Sequence, residues 1–178
     1  MWRGDSTIES DSVKANNKDN TFHAEGHVKS QMDVFEARAD ALDYASSGSA
    51  GGSGGGSGTD KQSAHYTGNV QAWKRDPKGE MRLNSREMTL NIAAGAVTDA
   101  TAEGSVDLRQ GARHGTGDKA VYNKAADETI LSGQNAMVTD PKQGESHGTR
   151  LLVKNGGDVV VMEGPPAGRV VSKFKVQK

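Results

Sequence analysis

Two histidines and a glutamate within the segment His23-Ala24-Glu25-Gly26-His27 carry side chains that bind metal ions in other proteins. If this segment is a β-strand, alternate residues point to the same side, so His23, Glu25 and His27 share one face. Imidazole and carboxylate groups are ligands for zinc. Successive members of the set are ~6.6 Å apart along a strand, which is too far to close a tight site without further ligands. The spacing therefore favours a solvated polar face, and we expect no metal site.

Other residue types that perform catalysis do not form a recognisable set. His65, His114 and His147 are scattered, and no spacing assigns a nucleophile or an orienting acid to any of them. The segment from Gly115 to Lys119 lacks the four-residue gap and the Lys-Ser/Thr ending of a phosphate-binding loop. Absence of Cys excludes thiol catalysis and thiolate metal sites. We expect no catalytic residues, no cofactor and no enzymatic activity.

The elements that carry these residues are predicted to be strands of a single domain over residues 1–178, since this length suits one ordinary domain. The chain contains 15 Val but 7 Leu, and β-branched residues favour strands over helices. A net charge of −1 leaves no basic field for a nucleic-acid backbone, so nucleic acid is excluded as a partner. Neither a membrane span nor a signal peptide is expected, because no apolar run is long enough.

A two-part unit recurs five times along the chain. Its second part is a small or apolar residue two positions before a glycine: Ala24-Glu25-Gly26, Tyr66-Thr67-Gly68, Ala102-Glu103-Gly104, Leu131-Ser132-Gly133 and Met162-Glu163-Gly164. Its first part starts with a small residue and has apolar residues at its fourth and sixth positions: Ser10–Ala15, Ala39–Tyr44, Ser85–Leu90, Gly117–Tyr122 and Gly148–Val153. Turn-forming residues separate the parts, so each unit predicts a β-hairpin. Five such units predict an antiparallel all-β stack with one continuous apolar interior.

The second unit is longer than the others, and its extra length coincides with a Gly/Ser-rich segment at residues 46–58. Such a segment has neither side chains to bury nor backbone restraint. We therefore expect a flexible loop inserted into a hairpin, and a natural or an engineered origin both remain open. The entropic cost of closing a loop rises slowly with its length, so the fold tolerates a long loop of either origin.

Alternation along the units divides the residues between two faces. The apolar face is predicted to carry Val13, Leu42, Tyr44, Met88, Leu90, Ala120, Tyr122, Leu151 and Val153 on the first strands, and Phe22, Val28, Tyr66, Val70, Val106, Leu131 and Met162 on the returning strands. The opposite face carries Lys14, His23, Glu25, Asp43, Glu87, Glu103, Asp107 and Lys119, and is expected to be wet. Small side chains can leave a groove or close a narrow core, so an open cleft and a dry core both remain possible.

The units resemble the OstA-like repeats of the periplasmic lipopolysaccharide-transport proteins, the family of LptA and LptC. The clearest stretch runs from Ala102-Glu103-Gly104-Ser105-Val106 through Gly117-Asp118-Lys119-Ala120-Val121-Tyr122 to Ile130-Leu131-Ser132-Gly133. The resemblance implies a twisted, slightly open β-jellyroll whose apolar groove holds the acyl chains of lipopolysaccharide in the periplasm. The fifth unit departs from the family pattern, because Pro165-Pro166 stands where a Val is expected; the prolines imply a bulged or edge strand.

Two functions follow as alternatives. The first, implied by the resemblance, is a noncatalytic module that binds lipopolysaccharide through the groove residues named above and docks to other transport proteins. The second is a structural or engineered β-repeat scaffold with a dry core. For the first, we expect partners to pair with the end strands, around Thr7–Ala15 and Gly168–Val176, giving mixed assemblies or head-to-tail oligomers.

Overall fold

The computed structural model describes residues 6–47, 61–75, 80–141, 144–154, 159–164 and 169–173. Most of the Gly/Ser segment predicted to be a flexible insert lies outside the described residues, as do Pro165-Pro166 and Phe174. The described residues contain strands and turns, and no helix among them is long and apolar enough to cross a membrane. The insert and the single domain over residues 1–178 therefore stay predictions.

The regular elements of the described chain are twelve strands. Their bounds are β1 Thr7–Glu9, β2 Ser12–Asn16, β3 Thr21–Met32, β4 Phe35–Ser46, β5 Lys61–Lys74, β6 Met81–Ala93, β7 Ala96–Gln110, β8 Arg113–Asn123, β9 Glu128–Asp140, β10 Gly144–Lys154, β11 Val159–Glu163 and β12 Val171–Lys173. Alternating burial runs along the long strands, as expected when one face is covered and the other is solvated.

All twelve strands belong to one antiparallel sheet in which each strand from β2 to β10 pairs with the next strand in sequence. The strand order is β1-β3-β4-β5-β6-β7-β8-β9-β10-β11, with β2 also paired to β3 and β12 also paired to β10. The five predicted hairpin units correspond to the pairs β2–β3, β4–β5, β6–β7, β8–β9 and β10–β11. The prediction of an all-β antiparallel fold built from about five hairpins is confirmed.

The recurring glycine motif lies in the middle of long strands, at a line of β-bulges. Register shifts follow Glu25 in β3, Thr67 in β5 and Glu103 in β7, each next to the motif. At each shift, Gly26, Gly68 or Gly104 and the residue after it both have positive φ, between 47° and 81°. Bulges bend strands and increase their twist. A line of them across the sheet therefore helps it to curl.

In the first four units, the second residue of the first part lies against the glycine of the same unit. Asp11 lies against Gly26, Asp40 against Gly68 and Asp118 against Gly133, and a Cβ added to any of these glycines would overlap the carboxylate. The carboxylates also accept hydrogen bonds from the far side of the bulge, from His27 Nδ1 at 2.8 Å, Asn69 Nδ2 at 2.8 Å and the Gln134 N–H at 3.1 Å. The aspartate thus covers and stabilises the bulge. In the third unit Arg86 takes this place against Gly104.

The sheet curls far enough for distant strands to touch across the interior. Strands β4 and β8 are four steps apart, or ~19 Å along a flat sheet. Nevertheless the rings of Phe35 and Tyr122 are 5.8 Å apart, and Lys124 Nζ forms an ion pair of 3.1 Å with Asp33 of the β3–β4 turn. These contacts make two opposed walls with a hydrophobic core between them, and the predicted β-jellyroll is confirmed.

Candidate functional site

The interior is organised by a row of apolar residues that crosses ten consecutive strands in register. Each member is the direct cross-strand partner of the next: Val13, Ala24, Leu42, Tyr66, Met88, Ala102, Ala120, Leu131, Leu151 and Met162. Direct partners in an antiparallel sheet share a face. The row is therefore one apolar band along the inner face, from the first hairpin to the last.

A second row runs beside the first, two residues away from it on each strand. It contains Ala15, Phe22, Tyr44, Ala64, Leu90, Ala100, Tyr122, Thr129 and Val153. Phe22 and Tyr44 stack with their ring centroids 4.8 Å apart. Phe22 is half-buried, so this end of the interior presents an aromatic surface that solvent still reaches. Burial raises the pKa of Tyr44, which keeps this hydroxyl neutral.

Most residues predicted for the apolar face are covered in the structure. Buried members are Val28, Leu42, Tyr44, Tyr66, Val70, Met88, Leu90, Val106, Ala120, Leu131 and Leu151; half-buried members are Phe22, Tyr122, Val153 and Met162. Val13 shares the inner face, but 57% of it is exposed. Its strand, β2, pairs with β3 alone and is exposed along its whole length. The apolar band therefore reaches solvent at this edge.

Two gaps in the described part of the chain adjoin interior residues: a more open one of about 390 Å³ beside Phe22 and Tyr44, and a small apolar one within the curl. The small one is a cavity of about 40 Å³ lined by Phe35, Ala72, Lys74, Met81, Leu83, Met88, Ala100, Ala102, Leu108, Ala120, Tyr122 and Thr129. This is room for about one water molecule, whose share of liquid volume is about 30 Å³. In this conformation the side chains of the two walls leave little space around this cavity.

One buried polar pair stands within the apolar interior. The Tyr66 hydroxyl and Ser30 Oγ are 2.7 Å apart, and the same hydroxyl donates to Met32 Sδ at 3.6 Å. Burial, opposed by the bond to Ser30, raises the pKa of Tyr66 to about 12. Tyr66 is in β5 and Ser30 in β3, so the pair ties two strands that are not neighbours. Each hydroxyl therefore has a hydrogen-bond partner within the apolar interior.

The candidate metal ligands do not come together. His23 Nδ1 is 2.7 Å from Asp43 Oδ1, and His27 Nδ1 forms a hydrogen bond with Asp11 Oδ2 on the other side of the bulge. Within the described part of the chain, no three His, Asp or Glu side chains are placed to hold a metal ion. The two histidines instead form separate surface contacts with carboxylates. The bond and charge of Asp11 raise the pKa of His27 above its usual 6.5.

The outer face is less uniformly wet than the alternation predicts. In its first half the cross-strand row Lys14, His23, Asp43 and His65 is polar. In its second half the same row continues as Val121, Ile130, Leu152 and Val161. Val161 is 41% exposed and the other three are half-buried. The expectation of a wholly polar outer face is therefore wrong for strands β8 to β11.

Both ends of the sheet finish in split edge strands. At one end β1 and β2 share β3, and at the other end β11 and β12 share β10. Each split lies at the line of bulges, beside Gly26 and beside Gly148. A described edge strand pairs on one side, so the other side carries backbone groups that can accept a further strand.

Residues 56–158, more than half of the chain, match the family model described as LptA/(LptD N-terminal domain) LPS transport protein. The chain belongs to this family of lipopolysaccharide-transport proteins. Among curated proteins no match was found. Among solved structures it is similar to LptH of Pseudomonas aeruginosa, which is described as the LptA homologous periplasmic component of the conserved lipopolysaccharide transport device. The identity is 11%, the TM-score is 0.51, and the match covers 96% of this chain and 95% of that chain.

The likeness to LptH shows a shared fold over nearly the full length of both chains. It agrees with the single curled sheet described above, and the resemblance drawn from the repeats is confirmed by the family model. Within this LptA-like fold, the inner face is the largest apolar feature of the described residues. It is therefore the candidate functional site.

Alternation alone does not identify two polar residues of this interior. Lys74 is on the inner face, 9% exposed, with its ammonium 4.3 Å from the ring centroid of Tyr122. Ser30 is buried to 2% exposure beside Tyr66. A signal for Lys74 exists in the sequence: it follows Val70 and Ala72 at the spacing of inward residues after the bulge. Because Lys74 is charged, alternation alone predicts that the strand ends there.

Proposed function

We propose that the protein is a noncatalytic module that carries lipopolysaccharide through the periplasm, with the acyl chains held between the two walls of the curled sheet. The observation that carries the proposal is the apolar row across ten strands in a member of this transport family. Each acyl CH₂ removed from water contributes about 0.8 kcal/mol. Several chains can therefore be held along the row without many polar contacts. LptH, which has the same fold, is described as a periplasmic component.

Binding requires the interior to widen. The cavity of about 40 Å³ cannot hold an acyl chain, so around Phe35 and Tyr122 the walls must separate or the side chains must move. A more open space of about 390 Å³ already lies beside Phe22 and Tyr44. The contacts that join the walls include the Phe35–Tyr122 ring pair and the surface ion pair between Lys124 and Asp33. Exposed ion pairs contribute about 0–1 kcal/mol, so breaking this one costs little. The exposed Val13 end of the row offers a place where entry can begin.

Photocrosslinking tests the groove. A photoreactive phenylalanine is placed at Tyr122, an inward aromatic of β8, and as matched control at Lys119, an outward residue of the same strand. A second matched pair is Phe22 and His23 on β3. With lipopolysaccharide present, we expect labelling at Tyr122 and Phe22 and little at the two controls. Equal labelling at both faces would contradict the groove.

The small cavity favours one competing function, a β-repeat scaffold with a permanently dry core. The same crosslinking experiment separates the two. A scaffold gives no labelled lipopolysaccharide at either inward position, even though the variants fold and remain monodisperse. Labelling confined to the inward positions rejects the scaffold.

We further propose that other lipopolysaccharide-transport proteins, or a second copy in head-to-tail order, add strands to the edges at β1–β2 and β11–β12. Main-chain hydrogen bonds would supply the affinity. Along an edge strand, successive backbone N–H groups point alternately toward the paired strand and away from the sheet, where a new strand would add. Of the two substitutions Val160→Pro and Val161→Pro in β11, one therefore removes an N–H that points away from the sheet at its free edge. We expect one of the two to weaken partner binding or self-association in a concentration series. Unchanged association in both would contradict docking at β11.

A further inference from the structure

The line of bulges divides the long strands of the sheet into two halves. Phe35 is in register with Met81 through β5, and Tyr122 is in register with Leu90 through β7. Met81 and Leu90 belong to the same strand, β6, and a register shift of the bulge line lies between them. We call these parts of the sheet the Phe35 half and the Tyr122 half. The ring contact of 5.8 Å between Phe35 and Tyr122 therefore joins the two halves of the sheet.

Further contacts between the halves show that the sheet is folded along the bulges. Ser30 of the Phe35 half lies 2.7 Å from the hydroxyl of Tyr66, which belongs to the Tyr122 half. The small cavity is lined from both halves, for example by Leu83 of the Phe35 half and Met88 of the Tyr122 half. Bulges bend the strands that contain them. The bulge line is therefore a crease, and the two halves are the walls on either side of the interior.

Opposite the crease, an ion pair joins turns that belong to different halves. Asp33 lies in the β3–β4 turn, where the Phe35 half ends, and Lys124 lies in the β8–β9 turn, where the Tyr122 half ends. Strands β3 and β4 are not neighbours of β8 and β9 in the sheet. Lys124 Nζ nevertheless lies 3.1 Å from Asp33 Oδ2. Both residues are exposed, so this bond across the slit is weak and is screened by salt.

We propose that the bulge line is a hinge and that the Asp33–Lys124 pair is a clasp, which must open before acyl chains enter the space between Phe35 and Tyr122. This rests on the proposed lipid-binding function and adds a route to it, because the chains reach the middle of the interior when the slit between the two halves opens. Hinge motions are absorbed by a few residues, and the glycines of the bulge line, such as Gly68, permit a wide range of backbone dihedral angles.

Cysteine crosslinking tests whether the clasp must open. The chain has no native Cys, so Asp33→Cys and Lys124→Cys can be joined by a short bismaleimide. The matched control joins Thr98→Cys to Lys124→Cys. The Lys124 N–H donates to the Thr98 carbonyl at 3.0 Å, so this second link stays within the Tyr122 half. Photoreactive phenylalanine at Tyr122 reports lipopolysaccharide between the walls, and the same group at Phe22 reports it at the other end of the interior.

Labelling before and after linking decides the outcome. We expect lipopolysaccharide to label Tyr122 in both unlinked variants. The link across the slit should abolish this labelling, whereas the link within one half should leave it unchanged. Labelling at Tyr122 that survives the link across the slit would overturn the clasp and leave the proposed function intact. No labelling at Tyr122 or Phe22 in the unlinked proteins would instead overturn the proposed function.

Charge variants test the clasp without a crosslinker. Asp33→Lys replaces the ion pair with a repulsion, so loading of fluorescent lipopolysaccharide in stopped flow should accelerate about two- to fivefold. Adding Lys124→Asp restores the pair with reversed polarity and should return the rate close to that of wild type. The control is Glu128→Lys, which makes the same charge change in an ion pair with Lys154 inside the Tyr122 half. Equal rates for wild type and Asp33→Lys, or a reversed pair as fast as Asp33→Lys alone, would overturn the clasp.

Discussion

Asp40 Oδ2 accepts a hydrogen bond of 2.8 Å from the side-chain amide of Asn69, and the same carboxylate lies directly against Gly68. Gly68 and Asn69 both have positive φ, at 75° and 47°. An aspartate from the first half of a repeat thus stabilises the strained bulge in its second half. Asp11 with His27 and Asp118 with Gln134 repeat the arrangement, which explains why the motif recurs along the chain.

Gly68→Ala should destabilise the protein more than Gly111→Ala. Both glycines have positive φ, which costs an alanine ~1–2 kcal/mol. A Cβ at Gly111 has open space around it, whereas one at Gly68 overlaps Asp40, and such overpacking adds about 1–3 kcal/mol. Urea unfolding of the two variants measures the difference. Equal losses would show that the aspartate does not confine the glycine.

The buried pair of Ser30 and Tyr66 should show strong coupling. Tyr66→Phe or Ser30→Ala alone leaves one buried hydroxyl with a lost partner, at a cost of about 1–3 kcal/mol. The double variant removes both hydroxyls and should lose less than the sum of the two. A double-mutant cycle by chemical denaturation gives the coupling free energy. Additive losses would mean that the two hydroxyls do not depend on each other.

These contacts mark how far the sequence predicts the structure. Alternation places Leu42, Tyr66 and Leu131 correctly on the inner face, because one covered face imposes a period of two residues. It misses the two-residue positive-φ bulges, since His27 and Asn69 belong to types that are enriched at positive φ but adopt it in a small minority of cases. It also misses the exposure of Val13, because alternation reports a face and not whether a neighbouring strand covers it.

The site is predicted less completely than the fold. Lys74 breaks the apolar pattern of its face, so only the curl that brings Tyr122 over it shows that it is an interior residue. The outer row Val121, Ile130 and Leu152 is apolar on the face that alternation assigns to solvent. The contact of Lys74 with Tyr122 joins residues far apart in sequence, which local periodicity does not contain, whereas the apolar outer row is visible in the sequence itself.

His27 gives the bulge of the first unit a pH dependence. Asp11 raises the pKa of His27 through a hydrogen bond and its charge. The stability contributed by protonated His27 is therefore fully present below pH 6.5 and is lost as pH rises through the raised folded-state pKa. An NMR titration should show Asp11→Asn returning the pKa of His27 toward 6.5, with Asp118→Asn in a distant unit having no effect. A pKa of His27 unchanged by Asp11→Asn would contradict the assignment.

The Gly/Ser segment should be dispensable. The Ser47 N–H and Oγ both donate to the Lys61 carbonyl at 2.9 Å, so the chain ends that flank residues 48–60 already meet. Replacing residues 48–58 with a turn of about three residues should leave the strand content and the melting temperature nearly unchanged, since closure cost depends weakly on loop length. Circular dichroism during heating measures both. A large fall in melting temperature would show that the segment is structural.

The central claim is that acyl chains lie between two walls that nearly touch in the free protein. Because the chain has no native Cys, spin labels can be attached through cysteines at the exposed residues Gln71 of β5 and Asn123 of β8, on opposite walls. Pulsed EPR measures the distance between the labels with and without lipopolysaccharide. We predict that the distance distribution shifts to longer values by several ångströms when lipopolysaccharide is bound. An unchanged distribution in a sample with stoichiometric bound lipopolysaccharide would contradict the claim.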